Sequence, residues 1–144
     1  MSKFPIHFYS DGAESNLKHK AVLKEWLREI IDAEGGVADS LTFVFCTDSK
    51  LSEINIKYLK INTLTDVIAF DLSDDEAIQG EIYISVERIT ENAEIFNNTA
   101  GEEMHRIMVH GLLHLLGYTD KDNRQKVVMA AKEDLYLSLL SEKI

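Results

Sequence analysis

The sequence has one cysteine, one proline and seven glycines among 144 residues. A single cysteine excludes an intramolecular disulfide framework and fits a reducing, cytoplasmic compartment. No window approaches the roughly 18 consecutive apolar residues of a membrane span, so no membrane contact is expected. The opening residues, 1–11, lack a basic stretch followed by a long apolar run, so no signal peptide is expected. Repeats, low-complexity tracts and Pro/Gly/Ser-rich linkers are missing too, and the chain reads as a single domain over 1–144. Positive charge is scarce. Fifteen Lys+Arg face 25 Asp+Glu, a formal charge of −10. A protein that grips nucleic-acid phosphates nonspecifically is expected to be basic, so this balance argues against one.

What is present is apolar and periodic: 45% of the residues are hydrophobic, enough for a real core and against disorder. Strands are predicted at Phe4–Tyr9, Leu41–Cys46, Val67–Phe70 and Glu81–Val86. A first helix is predicted over Glu14–Glu34, where Leu17, Leu23, Trp26, Leu27, Ile30 and Ile31 recur near period 3.6 and Gly35-Gly36 ends it. Thr47-Asp48-Ser49 can cap a second, with Leu51, Ile54 and Tyr58 on one face. A third is expected over Glu87–Phe96. Thr99 and Glu102 have capping-box spacing for a fourth, which should stop at Gly117. The last spans Asp122–Leu140, with Val127, Val128, Ala131, Leu135 and Leu139 expected to face inward. This order indicates an α+β fold of four strands and about five helices.

The chemistry concentrates on the fourth helix. His110 and His114 stand at i and i+4, on one face and about 6 Å apart in rise. Two imidazoles so placed can converge on one metal ion, as in the metalloprotease-type helix. Gly117 then lets the chain turn back, and Asp120 can bring a carboxylate to the same ion. Three protein ligands and an open position make a catalytic rather than a structural layout, and such an ion lowers the pKa of its water. The competing reading is a satisfied core pair beside Leu112, Leu113, Leu115 and Leu116. In H-E-x-x-H peptidases the residue after the first His is the general base; here it is Gly111, which cannot take a proton. His105 lies about 140° round the helix from His110 and is excluded as a ligand. Cys46 closes an apolar strand and reads as core rather than nucleophile.

The stretch His110-Gly-Leu-Leu-His114-Leu-Leu-Gly117-Tyr118 resembles the H-G-x-L-H-L-x-G-Y-D-H signature of the YbeY family of metal-dependent endoribonucleases. Asn55 and Tyr58 stand where that family has L-N-x-x-Y-R. Thr65 to Phe70 resembles its T-D-V-L-S-F strand, and Gly80-Glu81-Ile82 its G-D-I. The resemblance implies a compact α+β fold with a small mixed sheet. It implies a zinc-type site in a cleft between the signature helix and the T-D-V strand. The implied activity is hydrolysis of single-stranded RNA in 16S rRNA 3′-end maturation and ribosome quality control, with ribosomal or ribosome-associated proteins as partners. One divalent ion is expected, Zn²⁺ first, with Mn²⁺ or Ni²⁺ as alternatives.

Two departures bear on that activity. The third family ligand is His, and here it is Asp120. A carboxylate still ligates zinc, but it cancels one unit of charge and favours harder metals more than a third His would. The family's Arg after Tyr is Leu59, so a permanently charged donor for phosphate is lost. Arg106, one turn before His110, is the candidate catalytic replacement; a solvated helix residue is the competing reading. Thr65, Asp66, Lys121 and Arg124 are candidate substrate contacts. Asp66 could equally form a turn at the strand entry, and the two cations could simply open a solvated helix. Acidic excess is greatest over 76–103, with seven acidic residues and one basic, whereas 104–144 holds six basic and five acidic. That pattern suggests a weak intrinsic RNA binder directed to substrate by a partner. Two other functions stay open: a non-catalytic, ribosome-associated metal-binding protein, and a metallo-hydrolase of peptides or small molecules.

Overall fold

A computed structural model describes residues 5–15, 17–59, 67–73 and 77–144. Among them are four strands: β1 (Ile6–Asp11), β2 (Val37–Cys46), β3 (Val67–Asp71) and β4 (Ala77–Ser85). They form one mixed sheet in the order β1-β2-β4-β3. β2 is parallel to β1 and to β4, and β3 closes the far edge antiparallel to β4. Five helices accompany them: α1 (Lys20–Ala33), α2 (Asp48–Ile54), α3 (Val86–Ile95), α4 (Ala100–Leu115) and α5 (Asn123–Ser141). A π-helical turn, Asn55–Leu59, extends α2. The side chains of Tyr58 and Leu59 lie outside the described set, as does Phe4.

The predicted elements are all found, with informative differences at their ends. Mutual pairing extends β2 back to Val37 and β4 back to Ala77, beyond their apolar runs. α1 begins at Lys20 rather than Glu14. The Ser15 hydroxyl accepts from the Leu17 N–H, a local bond that competes with a helical turn. His19 precedes the helix at φ 59°, a left-handed backbone. The caps read from sequence form: Thr47 Oγ1 accepts from the Lys50 N–H, and Thr99 and Glu102 make the reciprocal capping box.

One face of the sheet carries the main core. Phe43, Phe45, Ile82 and Ile84 pack there with Leu23, Trp26 and Leu27 of α1 and with Met108 and Leu112 of α4. Trp26 Nε1 donates to the Tyr136 carbonyl at 2.8 Å and ties α1 to α5. Leu51 and Ile54 of α2 cover Ile68 and Cys46 in a smaller second cluster.

α5 contradicts its predicted orientation. Met129, Glu133, Tyr136 and Leu140 face inward, while Val127, Val128, Ala131, Leu135 and Leu139 are exposed. The helix has apolar stripes on two opposite sides, so periodicity alone could not choose its buried face.

Two glycines let α4 lie close to β4. A Cβ at Gly111 would stand 2.8 Å from Ile82 Cγ2, and one at Gly80 2.5 Å from Leu115 Cδ1. The second clash meets the end of a flexible leucine. The first meets a β-branched side chain with 0% exposure. Gly111→Ala gains about 1 kcal/mol of helix propensity but meets overpacking of typically 1–3 kcal/mol. Urea unfolding should therefore show Gly111→Ala less stable by about 1 kcal/mol, and Gly80→Ala less affected.

Candidate metal centre

The end of α4 builds the site. Gly117 takes φ +102°. Its N–H bonds the His114 carbonyl at 3.1 Å, and the Tyr118 N–H bonds the Leu113 carbonyl at 3.0 Å. This is a Schellman cap, the glycine stop expected from sequence. It folds the Tyr118 carbonyl back onto the helix, 3.1 Å from His114 Nδ1. A carbonyl can only accept, so His114 Nδ1 carries the proton and Nε2 presents a lone pair.

His110 is oriented from the other side. Its Nδ1 lies 2.7 Å from Glu133 Oε2 on α5, so it donates there and its Nε2 is also turned outward. The two Nε2 atoms face each other at 3.1 Å. Asp120 Oδ2 lies 3.4 Å from the first and 3.8 Å from the second. Ligands held at about 2.0–2.1 Å round a tetrahedral ion stand about 3.4 Å apart, so the three separations fit one cation. The donor chemistry agrees. Two lone pairs and a carboxylate oxygen converge, which is repulsive unless a positive charge sits among them. Histidine ligands fixed through Nδ1 by a carboxylate or a carbonyl are the usual support for such a centre. The side chains of His110, His114 and Asp120 are 22%, 30% and 40% exposed, so the cluster opens to solvent.

Glu133 was not legible as a site residue. It is 7% exposed and bridges His110 to Arg106, whose Nη1 donates to Glu133 Oε1 at 2.9 Å. Arg106 Nη2 also donates to Asp134 Oδ1 at 2.8 Å. Burial lowers the Arg106 pKa, but these two carboxylates outweigh it and raise the group above its ordinary value. The one signal in sequence was the pair itself: an arginine one turn before a ligand histidine, both needing an acid from a neighbouring helix.

The remaining candidates fall unevenly. Thr65 and Asp66 lie outside the described residues. Val67, which follows them, packs near Gly111: a Cβ there would be 3.4 Å from Val67 Cγ2, so β3 starts beside the histidine turn. Lys121 adjoins Asp120 and is exposed, with its N–H on Gln125 Oε1 at 2.9 Å. Arg124 is exposed on the side of α5 opposite Glu133, and the fold does not bring it to the cluster. His105 packs edge-on against Trp26, and burial lowers its pKa. The buried Cys46 thiol is pushed up to about 11, first by burial, and is not a thiolate at neutral pH. A groove of about 650 Å³ between α4 and α5 is lined by Arg106 and Asp134 but by neither ligand histidine.

Glu34 braces the site from α1. It sits at the C-terminal end of that helix, where the macrodipole disfavours a carboxylate. Three donors compensate: the Tyr118 hydroxyl at 2.5 Å, Lys132 Nζ at 3.1 Å and the Tyr136 hydroxyl. Burial pushes the Glu34 carboxyl up, but these hydrogen bonds outweigh it and hold it below its ordinary value. Tyr118 is thereby fixed at both ends, with its carbonyl on His114 and its hydroxyl on Glu34.

An α+β domain with two oriented imidazoles and a carboxylate at one helix end has the ligand set of an open metal site. The chain belongs to the YbeY endoribonuclease family, whose model, Endoribonuclease YbeY, matches residues 9–141. It is 37% identical to the Endoribonuclease YbeY of Amoebophilus asiaticus over 138 residues, covering 95% of this chain and 94% of that protein. It is 44% identical to that of Flavobacterium psychrophilum over 118 residues, covering 82% and 84%. Among solved structures it is similar to the solution structure of a Thermotoga maritima protein. There the TM-score is 0.67 at 29% identity, over 96% of this chain and 90% of the other.

A carboxyl held below its ordinary pKa stabilises the fold at neutral pH and loses that effect as pH falls through its folded value. Glu34→Gln should therefore unfold at lower urea than the wild type at pH 7. The gap should be full above the ordinary glutamate range and shrink as pH falls below it. A gap that does not shrink on acidification would mean that the carboxylate's charge is not what binds the three donors.

Proposed function

We propose that this protein is a metal-dependent endoribonuclease that cuts single-stranded RNA, acting in 16S rRNA 3′-end maturation and ribosome quality control. Family membership supports the endoribonuclease reading. The observation that carries metal dependence is the convergence of both Nε2 atoms with Asp120 Oδ2. A divalent ion held by His110, His114 and Asp120, zinc first and manganese or nickel as alternatives, would polarise a phosphoryl oxygen and make water nucleophilic near neutral pH.

The chain's own residues do the rest. Glu133 and the Tyr118 carbonyl hold the protons on Nδ1 and fix both rings. Asp120 brings one negative charge, so the loaded site keeps a net positive charge toward phosphate. Arg106 holds Glu133 in place; to contact phosphate itself it would have to leave two carboxylates. Lys121 is the cation best placed to meet an RNA backbone beside Asp120. Thr65 and Asp66 remain proposed substrate contacts on resemblance alone. With a charge of −10, affinity for random RNA should be weaker than about 10⁻⁶ M at physiological salt, and a ribosome-associated partner would supply the rest.

A specific observation favours a second reading, a non-catalytic ribosome-associated metal protein. The family's phosphate-binding Arg is Leu59 here, and Arg106 is committed to Glu133 and Asp134. The peptidase alternative is weakened again, because the position that would hold its base packs against Ile82.

Metal analysis of the purified protein and cleavage of single-stranded RNA separate these readings. Wild type should bind about one zinc per chain and cut, and His114→Ala should do neither. Equal cleavage by both proteins would assign the activity to a contaminant. Metal binding without cleavage would select the non-catalytic reading. Glu133→Gln should fold and lower zinc affinity about 10–100-fold in a chelator competition. Unchanged affinity would reduce Glu133 to a brace of the fold.

A further inference from the structure

α5 is apolar on two opposite sides, and the chain covers one of them. Met129, Tyr136 and Leu140 are 2–3% exposed, whereas Val128, Leu135 and Leu139 are 40–50% exposed. An apolar helix face is normally buried against another element. The outward residues follow helical spacing. Val128, Ala131, Leu135 and Leu139 make a continuous stripe, with Arg124 at one end and Glu142 at the other, about 27 Å along the axis.

This stripe is complementary to itself when reversed. In two antiparallel copies centred on position 133, residues equally far from the centre meet. Ala131 then faces Leu135, a small side chain against a large one, Val128 faces Ser138, and Leu139 meets Val127 at the stripe's flank. Arg124 faces Glu142, an opposite charge at each end. Neither Arg124 nor Glu142 makes an ion pair among the described residues, and both are exposed. A twofold contact needs this property, since one patch must recognise itself. Parallel pairing would set Arg124 against Arg124 and Glu142 against Glu142, which repels.

We propose that the outward face of α5 docks antiparallel on α5 of a second copy of this chain. The twofold axis passes level with Glu133, on the opposite side of the helix from that carboxylate. The partner helix thus backs α5 at the turn that holds His110. A second copy is favoured over other occupants because the end charges, Arg124 and Glu142, and the central Ala131 and Leu135 match under reversal.

Analytical ultracentrifugation of the full chain from about 1 to 300 µM tests this. A reversible dimer in the micromolar range is expected. Leu135→Glu, on an exposed position, should keep the wild-type circular dichroism and weaken association at least about tenfold. Arg124→Glu and Glu142→Arg should each weaken it about fivefold, because the dimer holds the pair twice, and the double swap should restore it. A chain that stays monomeric throughout overturns the proposal. So does a dimer that Leu135→Glu leaves intact, or one that the double swap fails to restore. If the monomer instead binds ribosomal subunits through Leu135, the face belongs to that partner and the self-docking proposal fails.

Discussion

A buried carboxylate between a histidine and an arginine sets much of this structure. Glu133 gives one oxygen to His110 and the other to Arg106. A buried charge without such partners would cost several kcal/mol, so the pairing strongly favours one rotation of α5. That rotation brings Met129, Tyr136 and Leu140 onto the core and sends an equally apolar stripe outward. The start of α5 is set separately: Asp122, two residues after Asp120, accepts from the Gln125 N–H through its side chain. The contact with Glu133 also fixes the tautomer of His110. Packing and the orientation of His110 meet at one side chain.

The other histidine is held by the backbone. The Schellman cap after α4 is a common way to end a helix, yet here it aims the Tyr118 carbonyl at His114. Glu34 then secures the tyrosine from α1, so that three helices and one loop share the positioning of two imidazoles. The two supports differ in kind. One is a carboxylate; the other is a neutral carbonyl. The two imidazoles are therefore chemically unequal.

Local chemistry made much of this legible in the sequence. The i,i+4 histidines, the glycine stop, Asp120 and the Thr99–Glu102 cap depend on neighbours within a few residues. What escaped depends on distant ones. Glu133 reads as a solvated charge until Arg106 and His110, 27 and 23 residues away, are seen to need it. The buried face of α5 escaped for the same reason: its apolar residues satisfy either orientation, and a polar contact decides. The first helix began late because Ser15 offers its neighbour a bond outside the helix. The charge of −10 is a poor guide to the site, because the acidic excess lies mainly before α4.

Gly111 has a consequence for what this scaffold could become. The position after the first histidine is where a helix-borne metal site acquires a glutamate when it hydrolyses peptides. Here Ile82 stands where the first atom of any side chain would go. A single substitution toward that route carries the packing strain of Gly111→Ala and more for a longer side chain; relieving it first from the sheet side would leave a void in the core. The closeness of helix to sheet therefore works as an evolutionary barrier, separating two chemistries that the same pair of histidines could serve.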